Sequence, residues 1–276
     1  MDAMDVTGAV WVITCVVILG LFVFDFYAHV RVPHEPTFKE SAIWSSVYIG
    51  LAVVFGLVVW WLWGGQYAGE YFAGYVTEKA LSVDNLFVFT VIMGTFAVPR
   101  AFQQKLLLIG IVLALVMRAG FIAVGAAAIS TFSWVFYLFG IFLVLTAVKL
   151  AKEAGHEKEV EEKRDSRIIA MVRRFVPTTD DYDGDKFLTK VDGKRIVTPM
   201  LLALIAIGFT DVLFALDSIP AIYGLTEQPY IVFTANAFAL MGLRQLYFLI
   251  GGLLEDRKST RLNSSHIQKS RMPSSA

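Results

Sequence analysis

Apolar residues run almost unbroken for about twenty positions at a time along most of this chain. A helix needs ~20 such residues to cross a bilayer. Seven stretches supply them, at about 8–28, 42–63, 74–97, 102–125, 131–151, 199–222 and 229–252. The pattern predicts an all-α membrane protein with about seven transmembrane helices. The first run follows Asp2 and Asp5 and has no basic residue before it, so it reads as a retained span and not as a cleaved leader. The connections alternate in charge. Arg31 and Lys39 lie between spans one and two, Arg100 between three and four, and many Lys and Arg between five and six, while the other connections carry none. Lys and Arg near span ends mark the cytoplasmic side, so the N-terminus of this multi-pass chain is expected outside and the long loop between spans five and six in the cytoplasm.

Two spans break the apolar pattern. Tyr75 to Phe89, YVTEKALSVDNLFVF, holds Glu78, Lys79, Asp84 and Asn85. Phe209 to Ala221, FTDVLFALDSIPA, holds Asp211, Asp217 and Ser218, with the same spacing between its two acids. Ionisable groups at such depth are costly and mark functional sites by default. On a helix, Ser82 lies about 40° from Glu78 and Asn85 about 20° to its other side, forming an oxygen-bearing stripe, whereas Asp84 lies about 120° away. One regular helix cannot bring both of its acids to one ion, so either each pair serves two subsites or the helix is interrupted, and Pro220 permits a kink. The predicted orientations make the two motifs antiparallel, as in an inverted repeat with ions held near the midplane. Carboxylate, amide and hydroxyl oxygens suit a hard divalent cation such as Mg²⁺, Ca²⁺ or Mn²⁺. Asp84 and Asp211 are expected to approach one another and share the ion, with Glu78 and Asp217 toward the outer side. The alternative is that these acids form structural ion pairs with the intramembrane Arg118 and Arg244. Asp25 reads equally as a ligand, a gate or an interfacial acid. Asn236 could supply an oxygen or a bond between helices. His29, His34 and His156 read as solvated.

Composition adds little to the class, since 57% hydrophobic residues already exceeds the ~45–50% usual in soluble domains. One cysteine, Cys15, excludes an intrachain disulfide. Four segments follow: 1–151 as a first membrane half, 152–198 as a cytoplasmic loop, 199–256 as a second membrane portion, and 257–276 as a tail. The loop is charged and helical up to Pro177, and Asp192-Gly193 between two β-prone runs signals a hairpin. Asp181, Asp183 and Asp185 alternate as in a calcium loop, but Gly184 stands in the wrong place and no closing Glu follows, so a solvated acidic turn is expected. The Ser- and Arg-rich tail, 257–276, resembles translated adapter sequence and is expected to be disordered. Its five basic residues balance an otherwise acidic chain.

EKALSVDNLFVF and TDVLFALDSIPAI resemble the paired motifs of the TerC/Alx family of bacterial membrane proteins, and VDGKRIVTP and PYIVFTANAFALMGLRQLYFL resemble flanking family segments. The resemblance covers residues 10 to 256. It implies a lysine-exporter-like transporter fold, export of Mn²⁺ as cargo with no permanently bound cofactor, a link to tellurium resistance, and Glu78, Asp84, Asn85, Asp211, Asp217 and Ser218 as metal-binding positions. Where many members carry a Glu three residues before the first acid of the second motif, this chain has Gly208. Members usually continue for about two more spans. No enzyme activity is expected. The competing readings are export of an oxyanion, which an acid-lined site would repel, and an intramembrane aspartyl protease, against which no Gly directly precedes Asp211 and no Tyr-Asp pair lies in a span. The partners expected are the cation and the lipid bilayer, with no nucleic acid. Oligomeric state is left open.

Overall fold

A computed structural model of the chain describes residues 4–30, 35–132, 134–153, 182–191 and 194–252. The expected spans are helices: α1 Gly8–Asp25, α2 Phe38–Trp63, α3 Gly65–Thr95, α4 Arg100–Thr131, α5 Trp134–Glu153, α6 Pro199–Tyr223 and α7 Pro229–Leu240. A further helix, α8, runs from 243 to 252. Among the described residues, five segments are long and apolar enough to cross a membrane: Gly8–His29, Phe38–Trp63, Arg100–Thr131, Pro199–Tyr223 and Pro229–Gly252. Helices α3 and α5, with 31 and 20 residues, occupy the other two expected positions but are not among these five. The predicted charged helix up to Pro177, and the tail 257–276, lie outside the described residues.

Local sequence explains the helix starts. Thr7 and Thr37 accept hydrogen bonds from the backbone of Val10 and Glu40, satisfying donors that a helix N-terminus leaves free. Pro199 and Pro229 open α6 and α7, where a missing N–H costs nothing. Of the two alternatives for the second motif, the unbroken helix holds, since α6 stays helical through Pro220 to Tyr223. A break lies in the last span at Met241–Gly242, where Gly242 takes φ +78°, a conformation cheap only for glycine.

Contacts between helices fix their directions. Ile207 packs on Gly110, and Tyr223 on Gly125 and the Ile122 carbonyl, so α4 and α6 run parallel. Gly74 stands against Ile222, and Glu70 accepts a hydrogen bond from Thr226, so α3 and α6 run antiparallel. Gly74 also meets Ala235, and Lys79 reaches the carbonyls of Ala239 and Met241, so α3 and α7 run parallel. The pair α3–α4 is therefore inverted relative to α6–α7. Glycines sit at these crossings because lipid offers no hydrophobic drive between helices, and close backbone approach must supply the packing.

These four helices and α8 form the centre, with α1, α2 and α5 outside. Apolar side chains such as Val12, Trp61 and Tyr137 face outward, Trp61 at 84% exposure. A patch of this extent on a water-soluble monomer would mark an interface, whereas on this bundle it faces acyl chains. The two ends differ in kind. At one, Trp63 donates to the Asp5 carbonyl and Gln228 accepts from the Met4 N–H. At the other, Arg100 pairs with Glu35 at 2.7 Å. There too stands the hairpin of β1 Leu188–Val191 and β2 Lys194–Val197, antiparallel with Val191 opposite Lys194. Tyr182 donates to the Phe96 carbonyl, and Lys105 pairs with Asp185 at 2.7 Å. Lys105 holds the Asp185 carboxyl below the usual range. Asp183 bonds Lys186 and Thr189, so these acids form a docked turn and not a calcium loop. Connections thus alternate between ends, as the charge pattern requires.

Gly242 supports a packing prediction. A Cβ there would lie 2.9 Å from Tyr48 Cβ, at a backbone angle that side chains resist. Gly242→Ala is expected to cost ~1–3 kcal/mol and to lower the thermal unfolding midpoint in detergent by several degrees, measured against Gly251→Ala, where a Cβ meets nothing.

Candidate functional site

Arg118, on α4, sits at the centre of the bundle with 1% of its surface exposed. Its Nη1 donates to Glu78 Oε2 of α3 at 2.8 Å. Its Nε and Nη2 donate to Asp211 Oδ2 and Oδ1 of α6, at 3.2 and 3.0 Å. Glu78 and Asp211 are 0% and 1% exposed. The guanidinium is planar and fixed in charge, so it can fork onto one carboxylate and bridge to a second. With all three ionised, the cluster carries one net negative charge. Helical periodicity makes this possible, since each charged residue faces inward on a helix whose other faces are apolar.

On α3, α6 and α7 lie further buried polar atoms without partners. Glu78 Oε1, Ser82 Oγ, Thr210 Oγ1, Ser218 Oγ and both amide atoms of Asn236 are buried and make no hydrogen bond. Such groups normally find partners, because leaving one unpaired costs ~1–3 kcal/mol. Their placement follows from the antiparallel register. One turn inward from the Gly74–Ile222 contact, Glu78 comes level with Ser218. Two further turns bring Asn85 level with Asp211. Asn236 is adjacent to Ala235, which packs on Gly74 one turn from Glu78. Three helices therefore present oxygens around one guanidinium.

The predicted residues divide as follows. Glu78, Asn85, Asp211 and Ser218 are all buried. Glu78 and Asp211, which the sequence placed in separate subsites, meet on Arg118. The side chains of Asp84 and Asp217 lie outside the described residues, as does any contact between Asp84 and Asp211. Among the described residues, no three His, Cys, Asp or Glu side chains cluster as metal ligands. Gly208 belongs to the α4–α6 seam, since a Cβ there would lie 2.9 Å from Leu113 Cδ2.

Two residues differ from their sequence reading, and Lys79 finds its partners on α7. Its ammonium donates to the Ala239 and Met241 carbonyls at 3.0 and 3.3 Å, covering the open C-terminus of α7 where a cation is favoured. His29 is not solvated but buried, with its ring 4.5 Å from Trp44 in an edge-to-face contact. Asp25 is neither a free ligand nor interfacial. It lies buried and pairs with Arg244 at 2.8 Å. Thr210, beside Asp211, carried no signal of its own in the sequence.

With this geometry in view, the chain matches the integral membrane protein TerC family over residues 63–262. It belongs to that family of membrane proteins. It is 52% identical over 253 residues to an uncharacterized membrane protein of Mycobacterium tuberculosis strain H37Rv, covering 91% of this chain and 64% of that protein. It is 41% identical over 238 residues to an uncharacterized membrane protein of Myxococcus xanthus, covering 86% and 74%. It is 37% identical over 233 residues to a protein of Escherichia coli K12 named "Putative membrane-bound redox modulator Alx", covering 82% and 72%. The chain thus spans 64% of the length of the mycobacterial relatives. No solved structure matches it.

Removing one partner from the cluster should be costly. Arg118→Met would leave two facing carboxylates unpaired, and is expected to destabilise the protein by ~3–5 kcal/mol. The triple exchange Glu78→Gln, Arg118→Met, Asp211→Asn should recover most of that loss in detergent unfolding, because no buried charge remains. Equal stability of Arg118→Met and the parent would contradict the pairing.

Proposed function

We propose that this protein is a transporter of a hard divalent cation, with export of Mn²⁺ across the bacterial cytoplasmic membrane as the specific reading. The observation that carries it is the Glu78–Arg118–Asp211 cluster, buried among helices and surrounded by oxygens without partners. In this reading Arg118 is a tethered cation that pairs with both acids when no cargo is present and offsets one of their two charges. Cargo competes with the guanidinium for Glu78 and Asp211. Two carboxylates balance one divalent charge, so exchanging Arg118 for the ion leaves no uncompensated acid. Ser82, Ser218 and Asn236 then offer neutral oxygens of the kind Mn²⁺ and Mg²⁺ accept. Asp84 and Asp217, in the same two motifs, are the proposed next positions along the path, with Asn85 between them and the cluster.

The inverted arrangement of α3–α4 against α6–α7 supports alternating access, in which one pair rocks against the other around a central site. Release of Arg118 from either acid would uncouple α4 from α3 or from α6, linking occupancy to helix movement. An oxyanion fits the cluster poorly. Both faces of the guanidinium fork are already taken by carboxylates, and an added anion would meet two like charges.

The test is Mn²⁺ accumulation in cells expressing the chain, with protein level in the membrane measured in parallel. Glu78→Gln, Asp84→Asn and Asp211→Asn should each weaken cargo binding by at least ~30-fold, equivalent to ~2 kcal/mol, and raise cellular Mn²⁺ to the level of cells without the protein. Unchanged efflux in all three variants would refute the reading.

A further inference from the structure

The central helices are open at one end and shut at the other. At the basic end a cavity of about 760 Å³ lies between the start of α2, the last turns of α3, the start of α4 and α8. It reaches down α3 to Leu86, the neighbour of Asn85. At the opposite end α3 and α6 meet in a seam that leads from the surface to the acidic cluster. Glu70 stands at the top of this seam. It lies on the same helix as Glu78 and eight residues before it, ~12 Å along the axis.

Thr226 Oγ1 donates to Glu70 Oε2, and Gln66 Nε2 donates to Glu70 Oε1 at 3.1 Å. The same Thr226 hydroxyl accepts from the Gln228 backbone N–H at 3.2 Å. Gln228 Oε1 in turn accepts from the Met4 N–H at 3.3 Å. One hydroxyl thus ties α3 to the turn that joins α6 to α7, and through that turn to the segment before α1. One turn inward the seam is thin. Gly74 faces Ala235 and Ile222, where an added Cβ would lie 3.2 and 3.8 Å from their side chains. The next turn brings Glu78 level with Ser218. Thr226 is 5% exposed and Ile222 0%, so the accessible surface ends at the hydroxyl. Glycine adds no side chain to this seal, which leaves the bond above it to hold the helices closed. That bond is charge-assisted and strong, yet a single rotation of the Thr226 side chain breaks it.

We propose that Glu70 and Thr226 form the gate of the cation path at the end away from the hairpin, closed here while the basic end stands open. The proposal rests on the transport reading above. With the gate shut, both oxygens of Glu70 are occupied by Thr226 and Gln66, and cargo reaches Glu78 only from the cavity side. With the bond broken, the turn between α6 and α7 is released from α3, and the Gly74–Ile222 seam parts. Glu78 then faces the far side, and Glu70 at the mouth offers a departing cation a second carboxylate.

The test uses the full chain with Cys15→Ala in lipid nanodiscs without metal. Ile222→Cys, set beneath the latch, should react slowly with a charged thiol reagent, and Leu225→Cys, exposed at the same end, rapidly. Thr226→Val removes the donor with little change of shape. It should speed labelling of Ile222→Cys by ~10-fold or more, as loss of a hydrogen bond to a charged group predicts. Glu70→Met should do the same, and the two together no more than either alone. Thr226→Ser and Glu70→Gln keep the bond and should label at the parent rate. Ala203→Cys, buried toward the basic end of α6, should label no faster in Thr226→Val, which separates a gate from general loosening. Equal rates with Val and Ser, or equal acceleration at Ala203→Cys, would overturn the proposal. A second measurement reads transport in cells. Glu70→Cys joined to Thr226→Cys by a short reducible bis-thiol reagent should stop Mn²⁺ efflux until reductant is added. Efflux through the bridged pair would overturn the gate and leave transport standing. A parent chain that moves no Mn²⁺ would refute transport, while the metal-free labelling still decides whether the latch closes the seam.

Discussion

A charged group in the centre of a membrane bundle must be matched by another, because neither water nor lipid can compensate it. Arg118 answers to this constraint, and much of the architecture follows from it. The guanidinium reaches Glu78 and Asp211 together, so α3, α4 and α6 must converge around it. Convergence needs thin seams. Gly110 and Gly208 let α4 and α6 approach until Ile207 and Leu113 touch the opposing backbone. Gly74 does the same for α3 against α6 and α7. The apolar packing serves the ion pairs as much as the reverse.

Polar groups at depth are gathered on the central helices, while α1, α2 and α5 present apolar faces outward. At two places they meet an imperfection in regular structure. The last span breaks at Met241–Gly242, and Lys79 covers the carbonyls that the break frees. The first span ends in a π-helical turn, with Asp25 just before it and His29 within it. Non-helical backbone is tolerated in a membrane only where other protein groups satisfy it, and the break at Met241–Gly242 obeys that rule.

The inverted relation of α3–α4 to α6–α7 gives the two motifs a shared frame. Stepping inward from the Gly74–Ile222 contact, the acid-bearing positions of one helix meet the polar positions of the other. The backbones at Asp84 and Asp211 fall at nearly the same depth by this count. The match of acid spacing between the motifs, visible in the sequence, is what such a frame requires.

Much of this was legible beforehand, for identifiable reasons. Hydrophobic runs of bilayer length determine helices, since every backbone group in lipid must be satisfied within its own segment. Lys and Arg alternation determined which connections share an end. The two β-prone runs on either side of Asp192-Gly193, a pair outside the described residues, determined the antiparallel strands Leu188–Val191 and Lys194–Val197. The acids at 78, 84, 211 and 217 announced a polar interior by their cost alone. What the sequence could not decide was pairing. Arg118 was one of two candidate counter-charges, and only helix convergence joined it to Glu78 and Asp211 while giving Arg244 to Asp25. The site of the helix break was also undecided. Pro220 looked the better breaker, but the helix absorbs it, and the positive φ that ends α7 depends on Gly242 lying against Tyr48. His29 looked solvated because a span end and a loop are indistinguishable by composition, and a π-helical turn leaves no periodic trace. Each of these depends on which side chain meets which across helices far apart in the chain, and that information exists only in the tertiary structure.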